Sequence, residues 1–271
     1  MFVVIKGAGD LATGIALRLF HAGFDIAMTE IAAPLAVRRT VSFSQAVYDG
    51  HAQVEDVCAV LVSDEAGMRA AWQKQDGTTQ RQIPVFVDPA GAIVKKFRPD
   101  ALVDAIMAKK NTGTAITDAP VVIGVGPGFT AGIDCHAVIE TQRGHTLGRV
   151  ITEGSALPNT GIPGDIGGYT VERLLRSPAD GVFEALAAIG DQVTKGDTVA
   201  LIRVAQGDEV PVKAEISGIL RGLLPSGIAV RRGMKAGDID PRCERSHCFI
   251  VSDKALAIGG GVLEALLRLH Y

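Results

Sequence analysis

A chain of 271 residues that is 47% hydrophobic and 21% charged carries enough apolar side chains for one large domain or two to three small ones. A net charge of −3, a pI near 6.1 and only 5% aromatic residues argue against the basic, base-stacking surface of a nucleic-acid binder. Mean hydropathy is +0.25, yet no apolar run reaches the roughly 18–20 residues of a membrane span, and the N-terminus lacks a signal-peptide pattern.

Phe2-Val-Val-Ile5 is a short, fully apolar run, the pattern of a strand buried on both faces of a parallel sheet. Gly7-Ala-Gly9 breaks it. Leu11, Ile15 and Leu19 then recur at helical spacing as far as His21, with Gly23 as a stop, and residues 24–29 return to strand. Strand, glycine turn, helix and strand make a βαβ unit. Residues 57–62 and 83–87 predict further strands, 64–75 a helix and 76–82 a polar loop. Residues 101–110 predict a helix entered through Pro99-Asp100, its last turn holding two lysines that suit the dipole. The expected domain boundary follows at 112. In the glycine-rich middle, strands are predicted at 121–125, 135–141 and 149–152, separated by the loops 125–129 and 157–168. Turn signals every eight to eleven residues from about 178 to 241 predict a small all-β unit. The tail predicts a strand at 249–251, a Ser252 cap and an apolar helix.

Gly7-x-Gly9-x-x-Ala12 fits the dinucleotide fingerprint in the form that accepts Ala as its third small residue. Gly7 permits the turn, Gly9 lets backbone approach phosphate, and Ala12 lets the helix pack on the strand. Thr13-Gly14 keeps the first helical turn small, and the helix start presents N–H groups to an anion. Glu30, about twenty residues on, is placed to accept a ribose 2′-OH, and Arg38 and Arg39 to pair a phosphate. Asp10, inside the loop, repels phosphate and cuts against ordinary NAD binding. The alternative is a tight βα turn that binds nothing, with the arginines as solvated surface charges. Gly124-Val-Gly-Pro-Gly-Phe129 is a second anion nest or a structural turn. Cys58, Cys135, Cys243 and Cys248 are not a disulfide framework in a chain this long, and no Cys-x-x-Cys pair exists, so no metal is expected. Arg242 and Arg245 near Cys243 and Cys248 leave a reactive thiol open.

Gly7-Ala-Gly-Asp-Leu-Ala-Thr-Gly14, residues 28–43, 46–50, 138–145, Gly237-Asp-Ile-Asp-Pro-Arg242 and residues 252–264 resemble the YqeB-type selenium-dependent molybdenum hydroxylase system proteins. That resemblance implies an accessory role in maturing labile-selenium molybdenum hydroxylases, whose cofactor is a molybdopterin dinucleotide. Residues 180–240 also look like a biotinyl/lipoyl barrel-sandwich. Its tip, near Ala205-Gln-Gly-Asp208, has no lysine, so no covalent biotin or lipoate is expected.

The resulting expectation is an α/β protein. It has a Rossmann-like parallel-sheet domain over 1–112 and a mixed α/β domain over 113–271 containing a barrel-sandwich-like unit at about 178–241. Its expected function is accessory, binding a nucleotide-bearing cofactor or precursor, either NAD(P) or molybdopterin dinucleotide, through Gly7, Gly9, Asp10, Ala12, Thr13, Glu30, Arg38 and Arg39. Expected partners are the target hydroxylase or its assembly factors and a second copy of the chain, with no nucleic acid and no membrane. The expected compartment is the cytoplasm. The rival readings are an NAD(P)-dependent oxidoreductase using His136 or His145, and a non-enzymatic docking scaffold. A binding protein is favoured over an enzyme, and no catalytic residue is assigned.

Overall fold

The computed structural model describes residues 1–73, 81–161, 164–205 and 207–270. The chain divides into two compact units: residues 1–34, 42–160 and 251–271 form the first, and residues 35–41 and 161–250 the second.

The first unit begins as its sequence implies. The buried run Phe2–Lys6 (β1) leads through α1 (Asp10–His21) to β2 (Asp25–Glu30), which pairs parallel to β1. Then come α2 (Ala46–Asp49), β3 (His51–Val54), β4 (Val57–Val62), α3 (Glu65–Trp72), β5 (Ile83–Val87), α4 (Ala92–Phe97) and β6 (Ala101–Asp104). The strands β7 (Val121–Val125), β8 (Ala137–Ile139) and β9 (Val150–Ile151) complete one nine-stranded sheet of order β3-β4-β5-β2-β1-β6-β7-β8-β9. Its edges, β3 and β9, run antiparallel to their neighbours.

Three expectations change here. Of the helix predicted at 101–110, residues 101–104 instead form β6, wholly buried between β1 and β7, and residues 105–110 are irregular. A four-residue element has no period that separates helix from strand, and parallel partners on both sides decide the outcome. The helix lies earlier, in α4, which stops at Arg98 with φ +48. The strand predicted at 135–141 shortens to β8 because the Glu140 carboxylate takes the N–H groups of Thr141 and Gln142 and turns the chain out of the ladder. The tail has a 3-10 turn at Arg245–Cys248 and no strand at 249–251, before α5 (Asp253–His270). Residues 74–80, which include most of the predicted polar loop and the end of the predicted helix at 64–75, lie outside the described residues. So do residues 162–163, within the predicted loop at 157–168.

The Rossmann assignment is also corrected. In that fold the third parallel strand pairs with the second. Here β2 pairs with β5, and β4 sits one place further out, paired with β5. The sheet also runs past residue 112, because β6 pairs with β7 and β7 with β8.

Helices α1 and α5 lie side by side and parallel, so that both start at the carboxyl edge of the sheet. A Cβ at Gly14 would sit 2.6 Å from Ala255 Cβ, and one at Gly259 would sit 2.7 Å from Gly14 O and 2.8 Å from Arg18 Cγ. On the other side of α5, a Cβ at Gly261 would fall 2.0 Å from Gly148 O.

The second unit is all-β, as the turn spacing over 178–241 implies. Its strands are β10 (Leu174–Arg176), β11 (Gly181–Ala185), β12 (Gln192–Val193), β13 (Thr198–Arg203), β14 (Glu209–Lys213), β15 (Gly218–Leu223), β16 (Ala229–Val230) and β17 (Lys235–Asp240). They form two antiparallel sheets, β10-β17-β15-β12 and β14-β13-β11-β16. The self-contained biotinyl/lipoyl barrel-sandwich expected at 178–241 is not the folding unit. Its core includes Val37 and Leu175 from outside that span, and Leu223 N donates to Val37 O at 2.8 Å. Gln206, in the expected hairpin tip, lies outside the described residues.

Strand β17 carries two buried carboxylates that meet three arginines. Burial works to raise the pKa of Asp240, but hydrogen bonds from Arg242 and the charge of Arg221 outweigh it and hold the group at about 2. A depressed carboxylate pKa gives stability that is fully present above the unfolded value and is lost as pH falls towards the folded one. We therefore expect β17 amides to lose about 2 kcal/mol of protection between pH 5 and pH 2. Native-state hydrogen exchange measures this, and an unchanged protection pattern would refute it.

Candidate functional site

The chain turns one way after β1, to β2, and the opposite way after β6, to β7. In open α/β sheets, ligands bind where neighbouring strands send their loops apart in this manner, outside the carboxyl ends. The glycine loop lies there. Gly7 has φ +92, and a Cβ on it would meet Ala105 O at 2.9 Å, so the position demands glycine.

The loop is braced by its own protein. Gly7 N donates to Thr29 O, Ala8 N to Glu30 Oε2 at 3.0 Å, and Ile31 N to Glu30 Oε1 at 2.8 Å. Burial pushes the Glu30 carboxyl up from its ordinary value, against the pull of these two N–H groups. The residue expected to hold a ribose therefore holds the loop. Thr13 Oγ1 donates to Ala8 O and accepts from Phe43 N, and Ala12 is buried. Gly9 caps α1 in extended conformation without a side-chain bond, and Asp10 Oδ1 accepts from Leu11 N.

Arg38 and Arg39 are not part of this loop's unit. They belong to the second unit, where Arg38 is buried and donates to His247 O and Ile250 O. Arg39 Nε donates to Leu223 O at 2.8 Å.

Below the loop, Lys6 and Asp104 are cross-strand partners on β1 and β6. Lys6 Nζ donates to Thr114 Oγ1 at 2.7 Å and lies 3.5 Å from Asp104 Oδ2, while Thr114 Oγ1 donates to Asp104 Oδ2 at 2.6 Å. All three are buried. They tie the loop after β6 to the end of β1.

A further set of charges lies at the start of α5. Burial lowers the pKa of Lys254 from its ordinary value, with Arg143 adding to the shift while Asp10, Glu140 and Asp253 oppose it. Glu140 is itself buried and saturated by three N–H groups, those of Thr141, Gln142 and Leu157. Arg143 makes a two-toothed pair with Asp253 at 2.7 and 2.9 Å. Lys254 is a residue that sequence reading missed. The available signal was a lysine in the first turn of a helix, where the dipole disfavours a cation.

Other expected features are structural. Gly126 N donates to Ile139 O, and a Cβ on Gly128 would sit 2.6 Å from Lys110 Cα, so the glycine run 124–128 is a packed turn. His136 Nδ1 accepts from Val122 N. All four cysteines are free thiols, and burial pushes Cys135 up to about 11, far from thiolate character at neutral pH. Among the described residues no three His, Cys, Asp or Glu side chains gather as a metal site, and no helix is long and apolar enough to cross a membrane. An open cavity of about 690 Å³, lined by Lys95, Arg98, Asp100, Asp118 and their neighbours, lies at the opposite, amino edge of the sheet. Its two carboxylates are already committed to the N–H groups of Phe2 and Ala115.

These features define an open-sheet α/β module with a charged carboxyl edge, carried in one chain with an all-β unit. No protein-family model matches the chain. It is 51% identical to the uncharacterized protein YqeB of Escherichia coli K12 over 269 residues, which is 99% of this chain and 48% of that protein. The likeness to a YqeB-type protein thus stands, and the chain spans about half the length of this curated relative. Among solved structures, an aspartoacylase family protein from Mesorhizobium loti shares 13% identity over 88% of this chain and 84% of its own, with a TM-score of 0.30. A succinylglutamate desuccinylase from Silicibacter sp. shares 13% identity over the same fractions, with a TM-score of 0.26. Likenesses this distant carry no activity over to the chain. The expectation of a maturation accessory that binds a nucleotide-bearing cofactor does not stand, nor do its oxidoreductase and scaffold alternatives. The loop amides of Gly7 and Ala8, which such a cofactor's phosphate would need, are bonded within the protein.

Proposed function

We propose that the first unit binds a small anionic molecule, bearing a carboxylate or phosphate, at the carboxyl edge of the sheet beside the starts of α1 and α5. The observation that carries this reading is the convergence of two parallel helix N-termini on Lys254, a half-buried lysine whose charged form burial disfavours. Helix N-termini and a cation together attract an anion, and each reinforces the other where water is partly excluded. Gly7, Gly9, Ala12 and Thr13 shape the start of α1. Asp10 limits the charge that the site accepts.

Calorimetric titration with inorganic phosphate and with succinate tests the reading. Replacing Lys254→Met is expected to weaken the better ligand at least tenfold, the scale of one charge-assisted hydrogen bond. Binding to the wild type should weaken as pH rises through the lowered Lys254 pKa, because the neutral amine no longer attracts the anion. Lys254→Arg should keep its affinity over the same pH range. Equal affinity of wild type and Lys254→Met for both probes would sink the proposal.

A further inference from the structure

The motif Gly237-Asp-Ile-Asp-Pro-Arg242 plays no part in the site above, and the structure gives it a distinct chemistry. Successive residues of a strand alternate faces, so Asp238 and Asp240 of β17 share one. Asp238 is 2% exposed and Asp240 0%. Arg221 on β15 reaches both, through Nε to Asp238 Oδ2 at 2.7 Å and Nη1 to Asp240 Oδ2 at 3.3 Å. Arg242 grips Asp240 with Nε at 2.9 Å and Nη2 at 2.6 Å. Arg173, only 4% exposed, gives Nη2 to Asp238 Oδ1 and Nη1 to Gly164 O, both at 3.0 Å.

Three guanidiniums, Arg173, Arg221 and Arg242, thus converge on the two carboxylates. Two buried nitrogens at the cluster also have no hydrogen-bond partner: Arg173 Nε and His247 Nδ1, the latter 3.8 Å from Asp240 Oδ2. A buried charge or donor without a partner is costly, and an orphaned donor in a native structure points to an absent ion or ligand. The two aspartates fix the guanidiniums in place, so an arriving anion would meet donors that are already ordered. Arg242 and His247 are partly exposed and open the cluster to solvent on the Asp240 side.

We infer that the Arg173–Arg221–Arg242 cluster of the second unit is an oxyanion-binding site that takes a small tetrahedral anion of the phosphate class on Arg173 Nε. This site is independent of Lys254, in a different unit.

The test uses the full chain carrying Lys254→Met, which removes the first proposed anion contact. Inorganic phosphate is titrated while the Arg Nε–H cross-peaks are followed by NMR, with Arg173 assigned through its own side-chain resonances. A saturable shift of the Arg173 Nε–H signal is expected, together with slowed exchange of that proton. In Arg173→Lys the saturable phosphate binding should weaken at least tenfold. If that variant does not fold, the cross-peak of the parent chain decides. An Arg173 Nε–H signal that stays unmoved at saturating phosphate, or that drifts linearly as for an adventitious ion only, would overturn the inference.

Discussion

Asp104→Ala should cost the protein about 3–5 kcal/mol, because it leaves the buried Lys6 ammonium with one hydroxyl and no counter-charge. Denaturant unfolding followed through the single tryptophan, Trp72 in the first unit, measures the loss. The paired replacement Lys6→Met with Asp104→Leu should recover most of it, since a buried ion pair exchanged for apolar groups of similar volume is often neutral or better. A loss under about 1 kcal/mol in Asp104→Ala would show that Thr114 and solvent already neutralise the lysine.

The second large effect concerns the close approach of α5. Gly261→Ala places a methyl 2.0 Å from the backbone oxygen of Gly148, which cannot swing aside as a side chain would. Alanine gains about 1 kcal/mol of helix propensity over glycine. Overpacking costs about 1–3 kcal/mol and occasionally more, and a 2.0 Å approach to backbone lies at the upper end, so a net loss of roughly 2 kcal/mol is expected. Gly260→Ala, where a Cβ meets nothing within 4 Å, is the matched control and should be neutral or stabilising. Thermal unfolding of the two variants side by side decides the matter, and equal midpoints would mean that α5 shifts freely.

Where period and punctuation agree, the sequence was legible. The βαβ start and the strands at 57–62, 83–87 and 121–125 appear where the apolar runs place them. Short elements were not. Ala101-Leu-Val-Asp104 is too brief to show a period, and the lysines after it imitated a helix C-terminus. Strand order was beyond reach too, because nothing local tells β2 that its neighbour is β5 and not β4. For the site, the glycine loop was found but Glu30 was misjudged. Its spacing from the loop suits a ribose, and equally suits closing on Ala8 N, which only coordinates distinguish. Arg38 and Arg39 lie close to the loop in sequence yet fold into the other unit. Lys254 stands some 240 residues from Asp10, and only the pairing of α1 with α5 brings their charges together.

That pairing has a consequence for how the chain is made. Every strand of the nine-stranded sheet is in hand by Ile151, yet the glycine face of α1 has no cover until residues 253–270 emerge. Between those points the chain must finish the whole run from 161 to 250. During synthesis, which adds about 5–20 residues each second, the sheet therefore waits several seconds with an apolar flank open. The all-β unit is both the later product and the interval of delay, and slow or faulty folding of it would expose the sheet to aggregation before the last helix arrives to close it.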